Sequence, residues 1–361
     1  FLVEGLNPRA LWVEKTSGTT GTSLRVYWPP SMLPKWWALV EVAVRNPAGV
    51  GQPVPRGMIG GRAIVRGNTT RPPYWRFNRF WRQLYLSAYH ISRTTAAGYI
   101  AALRDHGVEW LTGYGSAIAA LAEQALETGV TPLPLRAVIV SGDTLTPAMR
   151  QSIEKFFGCR CRDHYGQSEG VGMAMECSCG RMHVIPEVGI IEITREDGTA
   201  CAAGEVGEIV ATTLLNDAMP LIRYQMGDYA AWAGDQDCPC GDPNPILENL
   251  EGRLDDYLLT GDGRRIGKVF MAMQRSATIH AAQIVQDRPG HAYLLVRPSS
   301  AYRSSDAVAF RDDILKRIGS FGLDIVEVRE IPRTPQGKTI RVVRLADRPH
   351  MKDAYAGLLA I

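Results

Sequence analysis

Three consecutive stretches, RAVIVSGD (136–143), TPAMRQSIEKFFG (146–158) and CRCRDHYG (159–166), restrict the fold of this chain most tightly. The first is a β-branched run that ends at a small-residue turn. The second has Pro147 in its first helical turn, where a missing N–H costs nothing, and Gly158 at its end, where the backbone must leave the helix. The third returns to strand. Strand, helix and strand in that order read as a βαβ unit, a parallel strand pair buried under a crossover helix. Short β-rich runs alternate with helical stretches in this way from Leu11 to about Glu251. The expected fold class is therefore a large α/β domain of layered sheets and helices over 1–254.

After Gly252 the texture changes. DDYLLTGDGRRIG (255–267) reads as a hairpin with an Asp262-Gly263 turn. A helix over 268–277, a strand AYLLVRP (292–298), a helix DAVAFRDDILKRIGSFG (306–322) and a strand DIVEVREIP (324–332) follow. This predicts a small C-terminal α+β domain over 255–361.

Bulk properties exclude several function classes. Of the 361 residues 45% are hydrophobic and 21% charged, ordinary values for globular material. Lys and Arg number 40 against 37 Asp and Glu, and a net charge of +3 makes no field that calls for nucleic acid. No apolar stretch approaches the ~18 residues of a membrane span, and FLVEGLNPRALW (1–12) lacks the order of a secretory signal. A cytoplasmic protein with no membrane partner is expected. The cysteines number seven, and six fall into the C-x-C pairs Cys159/Cys161, Cys177/Cys179 and Cys238/Cys240, which suits metal binding or burial better than disulfides.

KTSGTTGTS (15–23) concentrates hydroxyls and glycines between extended segments. Glycines at positive φ can aim successive amides inward, and hydroxyls add donors, so the stretch reads as a phosphate cradle or else as a polar surface turn. No lysine follows Gly21, so it is not a P-loop.

Four further stretches follow in order: DHYGQSEG (163–170), LIRYQMGD (221–228), EGRLDD (251–256) and PRTPQGKT (332–339). With TSGTTG they resemble the core motifs of the adenylate-forming superfamily, which includes acyl- and aryl-CoA ligases, adenylation domains and luciferases. YWRFNRFWRQLYLSAYHIS (74–92) and LTGYGSAIAALA (111–122) look most like its phenylacetate-CoA ligase and CapK-like branch. The likeness spans 16–338. It implies ATP-dependent activation of a carboxylic acid as an acyl-adenylate, then transfer to a thiol, with coenzyme A the expected acceptor. An amine or a carrier-protein thiol is the alternative acceptor, and a catalytically silent nucleotide-binding scaffold is the third reading.

The resemblance assigns roles residue by residue. Thr16, Ser17, Gly18, Thr19, Thr20 and Gly21 would hold the β- and γ-phosphates of ATP. Glu169 would hold Mg²⁺, a cation that takes hard oxygen ligands shared with phosphates. Ser141, Gly142 and Asp143 match one wall of the adenine pocket, and His164, Tyr165, Gly166, Gln167 and Ser168 the other, with the Tyr165 ring on the base. Asp228, after a tight turn at Gly227, would take the ribose hydroxyls, and Arg253 would add a cationic contact. Lys338 would bridge the α-phosphate and the attacking carboxylate. Asp255 matches the hinge about which the small domain turns to present the 261–263 hairpin for the thiol step.

Tyr89, His90, Tyr114 and Gly115 match the acyl pocket, and a dense run of aromatics over 74–89 suits an aryl or similarly bulky acid; at helical spacing such residues otherwise read as core. ECSCGRMH (176–183) and DCPCG (237–241) bring soft donors close in sequence. CapK-like relatives imply a structural Zn²⁺ on Cys177, His183, Cys238 and Cys240, with Cys179 as a substitute ligand and buried thiols as the alternative. Family members usually carry more helices ahead of the phosphate loop, and this chain starts at Phe1, so part of the acyl pocket or of a homodimer surface is expected to fall outside it.

Overall fold

The computed structural model describes residues 1–15, 24–62, 64–65, 69–251, 258–261, 265–266, 278–299, 301–318, 321–333 and 339–359. Two compact units emerge, Phe1–Thr144 with Ile153–Arg253, and Leu145–Ser152 with Leu254–Ile361. The helix expected over 268–277 and the Asp262-Gly263 turn lie outside the described residues. No described helix is long and apolar enough to cross a membrane.

The chain opens with β1 (Trp12–Lys15) and β2 (Arg25–Trp28), an antiparallel pair, followed by α1 (Met32–Leu39), which runs on through a π turn, Val40–Arg45. Then come β3 (Arg56–Gly60), β4 (Trp75–Asn78), β5 (Gln83–Ser87), α2 (Ala96–Asp105), β6 (Trp110–Gly113), α3 (Gly115–Glu127), β7 (Ala137–Ser141), α4 (Pro147–Phe157) and β8 (Cys161–Gly166). The expected βαβ unit is therefore present. Thr146 caps α4 by accepting the Met149 N–H at 3.2 Å, and Gly158 leaves the helix at φ +61°. Six more strands follow: β9 (Met173–Glu176), β10 (Met182–Val184), β11 (Gly189–Thr194), β12 (Gly207–Thr213), β13 (Tyr224–Trp232) and β14 (Ile246–Glu251).

Among the described residues these strands form one sheet of twelve, in the order β11-β12-β13-β14-β10-β9-β8-β7-β6-β3-β5-β4. Its centre, β5-β3-β6-β7-β8, is parallel, and antiparallel strands extend it on both sides. β7 has no exposed residue because helices cover parallel strands on both faces, which is why AVIV is an unbroken apolar run. One core cluster gathers Val44, Trp110, Ile139, Met173 and Val188; another joins Val26 and Trp28 of β2 to Val171, Ala174, Leu221 and Met226.

Three local readings change. The aromatics of 74–89 stand on an antiparallel hairpin, β4 with β5, and not on a helix. Trp75, Phe77 and Tyr85 of these strands are half-buried, and the hairpin tip, Phe80 and Trp81, is exposed. Cys161 opens β8, fully buried, whereas Cys159 precedes the strand. Gly227 is part of a bulge within β13, where pairing shifts from Val210↔Gln225 to Glu208↔Tyr229.

The second unit pairs β15 (Leu258–Leu259) with β16 (Arg265–Ile266), the expected hairpin, in the register Leu258↔Ile266. Its main sheet has the order β19-β18-β17-β20, from β17 (Ile279–Arg288), β18 (His291–Pro298), β19 (Gly322–Glu327) and β20 (Val342–Arg344). Helix α5 (Ser304–Ile318) packs on it through Ala307, Phe310 and Ile314, and α6 (Lys352–Ala356) follows near the chain end. The pattern reading of the sequence does not find β17, because its polar residues interrupt any apolar alternation.

At the centre of the parallel sheet, Gly113 ends β6 at φ +141°, and a Cβ built there would stand 1.8 Å from the Ile59 carbonyl oxygen. Any side chain must push β3 and β6 apart. Gly113→Ala is expected to cost ~3 kcal/mol or more, read as a fall in the urea midpoint with unchanged slope; an unshifted midpoint would refute the close approach.

Candidate functional site

The parallel strands β5, β3, β6, β7 and β8 all end on the same edge of the sheet, the edge where open α/β sheets bind ligands. The expected pocket residues lie just beyond those ends. Tyr89 and His90 form a 3-10 turn directly after β5, and Tyr114 and Gly115 follow β6. Ser141, Gly142 and Asp143 follow in the same way at the end of β7. The Tyr89 hydroxyl donates to the Gly61 carbonyl at 3.2 Å. Gly142 adopts φ +80°, and a Cβ there would meet the Tyr114 ring at 3.0 Å, so the glycine admits the ring. Burial first, and then the Asp143 carboxylate, raise the Tyr114 phenol above its ordinary pKa, which keeps it a neutral donor.

Asp143 has a second task. Its two carboxylate oxygens accept the Gly115 and Ser116 N–H groups at 2.7 and 3.1 Å, binding the positive end of α3. The sequence assigned Asp143 to the adenine wall; in the structure it also fixes the helix that carries Tyr114 into place. His90 stacks on Tyr74 with ring centroids 4.7 Å apart, and its Nδ1 meets the Ser87 hydroxyl at 2.8 Å.

HYGQSEG runs off the end of β8. The Tyr165 hydroxyl donates to Asp228 Oδ2 at 2.8 Å, across 63 positions of sequence. The β13 bulge turns Asp228 to that side; without Gly227 at φ +72° the strand would keep its register. Glu169 is buried, with the Tyr224 hydroxyl 3.5 Å from its Oε1. Tyr224 lies within LIRYQMGD but was not read as a site residue, since a tyrosine on a strand carries no signal of its own. Among the described residues, His164 Nε2 and both polar atoms of the Gln167 side chain are buried without a hydrogen-bond partner. Orphaned buried polar atoms are uncommon and concentrate where a ligand completes them. Burial, with the Arg45 charge adding to it, pulls the His164 imidazole down to about 4, so it is neutral at pH 7.

Thr16, Ser17, Gly18, Thr19, Thr20 and Gly21, together with Arg253, Asp255 and Lys338, lie outside the described residues. The strands on either side of the first group are well fixed: β1 and β2 pair up to Lys15↔Arg25. Val26 and Trp28 of β2 share a core with Val171 and Ala174, and Tyr165 and Tyr224 pack against that core.

A separate cluster joins the two cysteine segments. Cys177 Sγ and Cys238 Sγ are 3.7 Å apart, Cys240 Sγ and His183 Nε2 3.5 Å, and all four donor atoms lie within 4.8 Å of one another. A tetrahedron of metal–sulfur bonds about 2.3 Å long has edges of about 3.8 Å. The donor set and its spacing therefore fit a tetrahedral soft cation. Both C-x-C-G turns have one design: the glycine N–H bonds to the first cysteine's carbonyl, Gly180 to Cys177 at 3.1 Å and Gly241 to Cys238 at 3.0 Å, each glycine at positive φ. The Cys179 N–H donates to Cys177 Sγ at 3.3 Å, and the Cys179 side chain is exposed. His183 Nδ1 donates to the Asn244 carbonyl at 3.0 Å, which leaves the Nε2 lone pair facing the sulfurs. Arg181 donates to the carbonyls of Asp235 and Asp237, pulling the segments together.

A scan of protein-family models finds no match. The chain is 25% identical to Protein CapK of Staphylococcus aureus over 332 residues, 90% of this chain and 72% of that protein. A phenylacetate-coenzyme A ligase of Thermus thermophilus is 33% identical over 150 residues, which cover 38% of this chain and only 33% of the ligase. Among solved structures, 2-hydroxyisobutyryl-CoA ligase in its postadenylation state with an acyl-AMP superimposes at a TM-score of 0.66 and 18% identity, covering 98% of this chain and 77% of that one. The structural likeness shows the adenylate-forming fold, a large mixed-sheet domain and a smaller C-terminal one.

His164 supplies a test of the buried β8 end. The unfolded imidazole binds its proton near 6.5 and the folded one near 4, so the unfolded state gains protons first as pH falls. Its contribution to stability is complete above pH 6.5 and declines as the pH drops to about 4. Urea unfolding across that window is expected to show a shallower pH slope for His164→Gln than for the wild type, and equal slopes would refute the buried neutral imidazole.

Proposed function

We infer that this chain, which belongs with CapK and the phenylacetate-CoA ligases in the adenylate-forming superfamily, activates a carboxylic acid with ATP and passes the acyl group to the thiol of coenzyme A. The observation that carries this reading is the meeting of Tyr165, Asp228, Tyr224 and Glu169 at the carboxyl end of β8, with orphaned polar atoms of His164 and Gln167 beside them. A nucleotide matches those groups in kind: a flat base for a ring, vicinal hydroxyls for a carboxylate and phosphates for a metal-binding glutamate.

Adenylation brings two anions together and expels pyrophosphate, so a site must orient the reactants and neutralise charge. The Tyr165 ring stacks on adenine while its hydroxyl holds Asp228 ready for the two ribose hydroxyls. The amides and hydroxyls of Thr16, Ser17, Gly18, Thr19, Thr20 and Gly21, which lie in sequence between β1 and β2, cradle the outer phosphates. Glu169 would hold Mg²⁺, which when bound neutralises phosphate oxygens; a single buried carboxylate suits a cation that shares its shell with phosphate. Lys338 follows the charge that moves onto the bridging oxygen, and Arg253 adds a cationic contact.

In the second half-reaction the thiolate attacks the acyl carbonyl and AMP leaves. The resemblance gives Asp255 the part of a hinge, Lys338 a part in adenylation and the 261–263 stretch a part in the thiol step, so that one site would serve both steps. Tyr89, His90 and Tyr114, with Tyr74 stacked behind His90, favour an aryl or similarly bulky acid. Cys177, His183, Cys238 and Cys240 would hold a structural Zn²⁺ tying the β9–β10 hairpin to the loop before β14, four protein donors being the closed set of a structural site.

Pyrophosphate exchange with a panel of carboxylic acids, followed by AMP release with and without coenzyme A, tests the reading. Lys338→Ala is expected to lower exchange at least ~hundredfold while ATP still binds; exchange at the wild-type rate would overturn the assigned role. AMP release that depends on an amine or a carrier protein in place of coenzyme A would reassign the acceptor. Metal analysis of the purified protein is expected to find about one zinc per chain, lost in Cys240→Ser together with several degrees of melting temperature. A zinc-free, equally stable wild type would remove the metal.

A further inference from the structure

β17 carries two glutamines that a buried strand does not need, since an apolar residue would fill the same volume at no desolvation cost. Gln283 and Gln286 are both buried, and every polar atom of each amide has a partner in the chain backbone or in a tyrosine hydroxyl. Gln286 Oε1 accepts the Leu259 N–H at 2.9 Å, and its Nε2 donates to the Leu259 carbonyl at 2.7 Å and the Arg288 carbonyl at 3.1 Å. The side-chain amide thus gives β15 what a neighbouring strand would give it. A hairpin with two residues in each strand is marginal by itself; that bond pair holds it together with the Gly290 N–H, which also reaches the Leu259 carbonyl at 2.8 Å, and the fully buried Leu258 side chain.

Gln283 does the same elsewhere. Its Nε2 donates to the Ile340 carbonyl at 2.7 Å, and its Oε1 accepts the Tyr355 hydroxyl of α6 at 2.9 Å. Ile340 comes two residues after Lys338 in sequence, and an antiparallel bridge pairs Arg333 with Thr339. Between Ala281 and Gln286 the pairing of β17 with β18 is regular, so residues three apart face opposite sides of the sheet. Gln286 lies on the side of Ile284 and Leu258; Gln283 lies on the side of Tyr355.

We propose that Gln286 and Gln283 are positioning residues for the two half-reactions, Gln286 acting through Leu259 of the β15–β16 pair in the thiol step and Gln283 through Ile340, two positions after Lys338 in sequence, in adenylation. The proposal rests on the adenylation and thiol-transfer reading above. One strand then carries a positioning residue for each step, one on each of its faces. Neither residue touches substrate; each acts through a backbone segment, and misplacing a reacting group by about an ångström is enough to slow a step ~hundredfold.

The experiment separates the steps in the intact 361-residue chain. Pyrophosphate exchange is measured with phenylacetate, anthranilate and 2-hydroxyisobutyrate, and single-turnover transfer to coenzyme A is measured from the acyl-adenylate formed with whichever acid supports exchange. Gln286→Met is expected to slow transfer at least ~tenfold with exchange within ~twofold of wild type, and Gln283→Met to do the reverse. Loss of both steps in equal measure in both variants, or of neither, would refute the positioning roles while leaving the enzymatic reading intact. Where Gln283→Met fails to fold, Gln283→Glu keeps the acceptor for Tyr355, loses the donor to Ile340 and carries the same expectation. A wild type that exchanges with none of the acids overturns the enzymatic reading and both roles with it, and one that exchanges but transfers nothing to coenzyme A overturns the role of Gln286 alone.

Discussion

The contact between Gly113 and the Ile59 carbonyl governs how closely β6 lies against β3, and the residues at the sheet edge inherit their positions from it. With the parallel strands in tight register, each strand end delivers its next few residues to one line: Tyr89 and His90 after β5, Tyr114 after β6, Gly142 and Asp143 after β7, Tyr165 at the end of β8. The side chains then lock one another. Asp143 binds the first amides of α3, the glycine before it admits the Tyr114 ring, and Tyr89 reaches the Gly61 carbonyl. The edge is preorganised by groups that also build the sheet, so its polar residues stay in place without a ligand.

The antiparallel half of the sheet contributes differently. Its strands bring two distant segments together twice: at Tyr165 and Asp228, where a bulge re-aims the carboxylate, and at the four Cys and His donors, where two tight C-x-C-G turns face each other. In both cases the approach depends on a glycine at positive φ, Gly227 in one and Gly180 with Gly241 in the other. Local backbone freedom is spent where long-range contacts are needed.

Much of this was legible in the residues themselves, and the limits were physical. The βαβ unit announced itself because apolar run, Pro147 and Gly158 are local signals, each read within a turn of its position. The four soft donors were legible because cysteine and histidine are chemically distinctive wherever they fall. β17 was not, because His280, Gln283 and Gln286 look like surface residues until the backbone groups that satisfy them are brought up from Leu259 and Ile340. The aromatics of β4 and β5 misled for a related reason: a short hairpin of 74–89 can place rings at intervals that a helix would also produce.

The sequence alone determined which chemistry is present: hydroxyls and glycines of TSGTTG, the glutamate of HYGQSEG, a late lysine, and two knots of cysteine, each as a residue type in a fixed order. Only the tertiary structure decided which of them meet. Tyr165 finds Asp228 across 63 positions, Asp143 serves a helix as well as an edge, and two buried amides take hold of segments remote from their own strand. The reason is that side-chain chemistry is a property of one position, whereas a hydrogen bond between distant segments exists only after the core has paid the entropy of bringing them together.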